Sequence, residues 1–213
     1  MANNAHGPVI ITPDDLAQAV RRAPNWKSPG LDGLHNYWLK GFVMCHAVLA
    51  RQFQEALDQK SLPSLFTTGI THLVPKDRDS TDPSKYRPIT CLPTIYKTLT
   101  SILSARITRH LNSNQVMNEN GCQGGGRGTK EPVLIDAVIS KVVKRNRRKL
   151  SAAWIDYKKA FDSVPHTWLK RVLELYKVDC TVRDFLGQCI GQWSTILCHL
   201  GERVMAAENH MRI

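Results

Sequence analysis

Asp156 closes a short apolar run, Leu150 to Ile155, and a second aspartate, Asp162, follows as part of a Phe-Asp pair. Pro165 then opens a helical pattern. The run reads as a strand. A carboxylate at its end leaves the sheet and points into solvent-filled space, where it can hold a divalent metal ion. A strand-end aspartate can equally satisfy its own turn, so the residue alone decides nothing. Upstream, Lys76 ends the segment Thr71-His72-Leu73-Val74-Pro75-Lys76, and Arg87 lies in Tyr86-Arg87-Pro88-Ile89. Phosphoryl transfer needs a metal ion to neutralise developing charge and cations to clamp phosphate oxygens. Arginine can bond such oxygens in a bidentate fashion. The bland reading of the same residues is a solvated hairpin edge, where Lys and Pro block pairing with another chain.

The elements that must position these residues are legible in outline. Thr12-Pro13-Asp14-Asp15 supplies a capping hydroxyl, a proline at the first helical position and a carboxylate at the third, so a helix runs to about Arg22. Pro29-Gly30 and Asp32-Gly33 are two consecutive turns. Leu34, Trp38, Phe42, Cys45, Leu49, Phe53 and Leu57 recur at helical spacing and predict one long amphipathic helix over 35–58. A strand over 68–74, a polar turn and a strand over 86–91 read as a hairpin. Pro93 starts a helix with Ile95, Leu99, Ile102, Leu103, Ile107 and Leu111 on one face, which should share a core with the helix before it.

Residues 112–128 are Asn- and Gly-rich and irregular, and Thr129 caps a helix carrying Val133, Leu134, Val138 and Val142. The strand to Asp156 follows, then a helix from Pro165 and another from Thr181, with Asp184 completing a capping box. Ser194 to Leu200 and Arg203 to Ala206 read as a hairpin turning at Gly201-Glu202. The pattern is mixed helix and strand without regular βαβ alternation, an α+β class.

Composition narrows the partners. The chain has 213 residues, 42% hydrophobic, and carries a formal charge of +11, which favours a polyanion, nucleic acid or an acidic membrane surface. The membrane reading is the weaker one, because no helix joins a basic stripe to a strong apolar face and no 18-residue apolar run exists. No signal peptide is visible at the N-terminus. The six cysteines form no C-x-x-C pair and no zinc-finger spacing with histidine, and read as reduced intracellular thiols. The histidines form no H-E-x-x-H, and no Ser or Cys nucleophile constellation is evident. The Gly-rich stretch 121–129 is not a Walker A loop, because Gly128-Thr129-Lys130 inverts the required order. The run Lys141, Lys144, Arg145, Arg147, Arg148, Lys149 has three equal readings: a solvated helix end, a phosphate contact, or a nuclear import signal.

The string AWIDYKKAFDSVPHTWL, residues 153–169, resembles the first catalytic motif of reverse transcriptases, those of non-LTR retrotransposons in particular. The order lysine strand, turn, Arg-Pro-Ile strand, helix, Gly-rich loop, aspartate strand is also similar to that family. Lys27-Ser28-Pro29-Gly30-Leu31-Asp32-Gly33 looks like its PG-DG element. Gly121 to Thr129 resembles its glycine loop near the template, departing at Cys122, where an aromatic is usual, and in extra glycines.

The resemblance implies a right-hand polymerase: an N-terminal helical extension over 1–67, fingers over 68–149, and a partial palm over 150–213 with an incomplete antiparallel palm sheet. It implies that Asp156 is catalytic and holds two Mg²⁺ ions (Mn²⁺ being a possible substitute), one of them shared with the backbone carbonyl of Tyr157. Phe161, preceded by the small Ala160, would lie under the incoming sugar and exclude a 2′-hydroxyl, while Lys76 and Arg87 contact the nucleotide. Gly124 and Arg127 of the glycine loop, with Lys144, Arg145, Arg147 and Arg148, would face nucleic acid.

The implied activity is RNA-directed DNA synthesis in the nucleus, with an RNA template, a DNA primer or target and dNTP as partners, no membrane and no small-molecule redox cofactor. Related enzymes place an Asp-Asp pair after the first aspartate. Here the only such pair is Asp14-Asp15, explained as first-turn helix acids. The expectation is therefore a fragment whose two-metal site is completed by a downstream palm and which is inactive by itself. A catalytically inactive nucleic-acid-binding remnant of a decayed or domesticated element is the rival reading. A structural interaction protein has no positive support in the sequence.

Overall fold

Thr12 starts the first helix as its neighbours require. In the structure, a computed structural model that describes residues 9–76, 82, 85–114, 130–153, 155, 163–199 and 202–207, the Asp15 amide donates to the Thr12 hydroxyl at 3.2 Å. The Thr12 amide donates to the Asp15 carboxylate at 2.9 Å. This capping box opens α1 (Pro13–Arg22), which buries Leu16, Ala19 and Val20.

The long helix expected over 35–58 is two helices, α2 (Asn36–Gly41) and α3 (Cys45–Gln59). The break has a local cause. A continuous helix would give the Leu39 carbonyl to the Val43 amide. Instead Val43 donates to the Gly41 carbonyl, and the buried His46 ring donates Nε2–H to Leu39 at 2.8 Å. Trp38 and Phe42, read as core positions, are exposed, and Asn36 and Leu39 are buried in their place.

A short helix, α4 (Ser64–Thr67), runs directly into β1 (Thr68–Pro75), which pairs antiparallel with β2 (Tyr86–Cys91) as the hairpin pattern predicts. Then come α5 (Thr94–Ser113), α6 (Lys130–Arg145), α7 (His166–Leu175) and α8 (Cys180–Gln192). The expected capping box at Thr181 is replaced by a single cap: Asp179 accepts from the amides of Thr181 and Val182. Asp184 is thereby free to pair with Lys60 at 2.6 Å. β3 (Ser194–His199) and β4 (Glu202–Ala207) form the last hairpin, with Glu202, expected in the turn, paired in the strand opposite His199.

The sheet order is β2-β1-β3-β4, and β1 pairs parallel with β3. The sheet is thus mixed: each hairpin is antiparallel within itself, and β1 and β3 join them in parallel. A buried threonine joins three strands: the Thr71 hydroxyl bonds those of Thr90 at 2.7 Å and Thr195 at 2.5 Å. The expected strand over 150–155 is not formed at residues 150–153 or 155, where Leu150 and Ile155 are exposed.

The chain divides into two compact units, residues 1–108 with 165–213, and residues 109–164. The first holds a core of Leu16, Val20, Phe53, Leu57, Leu99, Leu103 and Phe185, so the apolar positions of α3 and α5 do share one core. In the second unit α6 leaves Val133, Leu134, Val138 and Val142 exposed.

Candidate nucleotide and nucleic-acid sites

The hairpin register decides where Lys76 and Arg87 stand. Arg87 is opposite Val74, and the Lys76 amide donates to the Lys85 carbonyl at 2.8 Å, carrying the ladder one pair further. Alternate residues of a strand share a face and opposed residues lie side by side. Lys76, Lys85 and Arg87 therefore occupy one face at the turn end of the hairpin. All three are exposed, and no salt bridge among the described residues engages them. Lys85 was not singled out in the sequence. The signal that could have found it is its cross-strand position opposite Lys76, which appears only once the register is known.

The basic run lies at the end of α6. Arg148 donates its amide to the Val143 carbonyl at 3.0 Å, and Arg147 takes a left-handed φ of 51°. This is a Schellman-type stop built without glycine. Lys144, Arg145, Arg147 and Arg148 are all exposed, and positive charge at a helix C-terminus is favoured by the helix dipole.

The PG-DG element proves to be an anchor. Its Asp32 carboxylate accepts from the amides of Leu34 at 3.3 Å and Ile95 at 3.2 Å. The Thr94 hydroxyl donates to the Leu34 carbonyl, and Lys97 Nζ donates to the Ser28 carbonyl at 2.8 Å. Pro93, the residue before α5, has no side-chain acceptor. Asp32 therefore caps that helix from a distant part of the chain, just beyond the strand that carries Arg87.

Asp156, Tyr157, Ala160 and Phe161, with Gly124 and Arg127, lie outside the described residues. Among the described residues no group of three or more His, Cys, Asp and Glu side chains is placed to hold a metal ion. A carboxylate and a backbone carbonyl, the donors of Asp156 and Tyr157, are hard oxygen ligands and fit Mg²⁺. Cys45, Cys91, Cys180, Cys189 and Cys198 are free thiols. Burial pushes the Cys189 thiol up to about 11, which marks a packing residue rather than a nucleophile. Beside it the Tyr96 hydroxyl accepts the Trp193 indole N–H at 2.9 Å. No helix among the described residues is long and apolar enough to cross a membrane.

The family described as reverse transcriptase (RNA-dependent DNA polymerase) matches residues 74–207, more than half of the chain, from the end of β1 to the end of β4. The chain belongs to the reverse transcriptase family. Its relatives are proteins of non-LTR retrotransposons. This reverse transcriptase segment is 30% identical over 171 residues to the transposon TX1 uncharacterized 149 kDa protein of Xenopus laevis, covering 78% of this chain and 13% of that protein. It is 30% identical over 191 residues to the retrovirus-related Pol polyprotein from type-1 retrotransposable element R2 of Popillia japonica, covering 88% of this chain and 25% of the relative. To the probable RNA-directed DNA polymerase from transposon X-element of Drosophila melanogaster it is 24% identical over 165 residues, 74% of this chain and 18% of the other. The chain thus spans a quarter or less of the length of these relatives.

Proposed function

We propose that this reverse transcriptase segment belongs to an RNA-directed DNA polymerase that adds dNTP to a DNA primer or target along an RNA template. The observation that carries the reading is the placement of Lys76 and Arg87 on one exposed hairpin face inside the stretch matched to the family. Two cations fixed in cross-strand register can hold the oxygens of a triphosphate, with Arg bonding them in pairs. Lys85 adds a third charge to the same face. Asp156 and the Tyr157 carbonyl would hold Mg²⁺, or Mn²⁺ in its place. The bound ions would stabilise charge on the attacking and leaving oxygens. Phe161 and Ala160 select a sugar without a 2′-hydroxyl, and Gly124, Arg127, Lys144, Arg145, Arg147 and Arg148 hold the nucleic-acid backbone.

We assign residues 1–67 to a helical extension, 68–149 to fingers and 150–213 to part of a palm, working in the nucleus. The test is dNTP binding and primer extension by the polymerase that contains this segment. Lys76→Ala and Arg87→Ala should weaken dNTP binding roughly tenfold each, and Asp156→Ala should abolish extension while nucleic-acid binding persists. Wild-type binding without any extension would leave the nucleic-acid-binding remnant as the better description. Unaltered dNTP affinity in both hairpin variants would remove the triphosphate role.

A further inference from the structure

A second surface in the first unit has no role in that proposal. Trp26, Tyr37, Trp38 and Phe42 are 66%, 47%, 48% and 57% exposed. The rings of Trp26 and Tyr37 stack, with centroids 4.9 Å apart and planes 15° from parallel. Trp38 and Phe42 stack at 6.2 Å and 17°, and Tyr37 meets Trp38 edge-on at 5.4 Å. Four large rings left in water are unusual, and here they are held in place. The buried Asn36 donates to the Pro24 carbonyl at 3.1 Å, Tyr37 donates its amide to Asn25 at 3.2 Å, and Lys40 Nζ donates to the Asn25 side chain at 2.7 Å. These bonds fasten the turn carrying Trp26 to α2, so little freedom remains to be lost on binding.

The charge around the rings has one sign. Between Val20 and Ala50 the chain carries Arg21, Arg22, Lys27 and Lys40 and a single acid, Asp32. Both Asp32 oxygens are taken by the Leu34 and Ile95 amides. A cavity of about 560 Å³ is lined by Lys27 and Asn36, the chain neighbours of Trp26 and Tyr37, and by the strand end at Ile89 and Thr90. Arg22, Lys27 and Lys97 line it, and no carboxylate does. Cations without acids suit phosphate oxygens, and flat exposed rings suit base faces. A duplex hides its base faces in its own stack, whereas a single strand offers them.

We propose that this aromatic face and this cationic cavity bind single-stranded nucleic acid, the rings stacking its bases and Arg22, Lys27 and Lys97 holding its phosphates. The inference rests on the reading that the protein acts on nucleic acid, and it assigns a role to residues that reading leaves without one.

The experiment titrates the full chain with an oligouridylate of about ten nucleotides, an abasic phosphodiester of equal length and a duplex, following tryptophan fluorescence and anisotropy. Oligouridylate should quench the fluorescence. Trp26→Ala and Trp38→Ala should each lower affinity for it roughly tenfold, leaving the abasic strand unaffected. Trp26→Phe should recover most of the loss, and circular dichroism should match wild type throughout. If wild type binds nucleic acid but both alanine variants bind oligouridylate equally well, this inference is overturned and the polymerase reading stands. If wild type binds none of the three probes, both fall. If the alanine variants change only self-association in sedimentation, the face is a protein interface and the inference is overturned.

Discussion

The carboxylate of Asp32 accepts a hydrogen bond from the amide of Ile95 at 3.2 Å, across 63 residues of chain. The amides of a helix's first turn have no partner within the helix, and Pro93 offers α5 no cap of its own. Asp32 fills that place while its other oxygen closes its own turn on Leu34. Asp32→Ala should therefore destabilise the protein by about 1–2 kcal/mol in chemical denaturation, and Asp32→Asn by less. Equal stability of Asp32→Ala and wild type would show that the cap carries no weight.

Gly30 and Gly33 belong to the same element and should respond differently. A Cβ on Gly30 would sit 2.3 Å from the Pro93 nitrogen and 2.4 Å from the Leu92 carbonyl carbon, both backbone atoms that cannot swing aside. Gly33 has φ of +60° with nothing within 4 Å of its would-be Cβ. Gly30→Ala should cost about 2 kcal/mol or more by forcing the backbones apart. Gly33→Ala should cost about 1 kcal/mol through its left-handed backbone alone. Thermal melts of the two variants side by side test the order, and a larger loss at Gly33 would contradict it.

Asp15 ties α1 to α5 through a 2.7 Å ion pair with Arg106, which also donates to the Ile10 carbonyl. Burial acts to raise the Asp15 carboxyl, but hydrogen bonds from the Thr12 amide and hydroxyl and from Arg106 outweigh it, leaving the group below its ordinary value. A carboxyl depressed in the folded state is protonated more readily when unfolded. Its stabilisation is complete above the unfolded value near about 4 and is lost as pH falls through the folded one. Asp15→Asn should be less stable than wild type at neutral pH, and the gap should close in melts below about pH 4. A gap independent of pH would mean that the charge is not what stabilises.

Arg145, the last residue of α6, and Arg147 and Arg148 just beyond it are exposed. If all three bind backbone phosphates, replacing them by alanine should flatten the dependence of log affinity on log salt by roughly two to three units. An unchanged slope, measured by anisotropy on RNA and on an RNA–DNA hybrid, would return the cluster to a solvated helix end.

Much of the molecule was already written in short stretches of chain. The α1 cap follows from Thr12 to Asp15, and the β1–β2 hairpin follows from alternating strands around a polar turn, because these features need only neighbouring residues. The family likeness was legible for the same reason, since the motif around Asp156 and the Lys76 and Arg87 segments are contiguous strings.

What the sequence could not settle were contacts between distant residues. His46 takes the Leu39 carbonyl and splits one apparent helix in two, because a side chain competes for a backbone group that periodicity assumes is available. The parallel pairing of β1 with β3 joins segments some 126 residues apart through Thr68 and Ser194, and no local pattern encodes a ladder partner. Asp32 as a cap for α5, Lys85 beside Lys76, and the exposure of Trp38 and Phe42 likewise arise only when separate elements meet. Local propensity determines which pieces form; burial and hydrogen-bond competition between them decide which face of each piece is left for function.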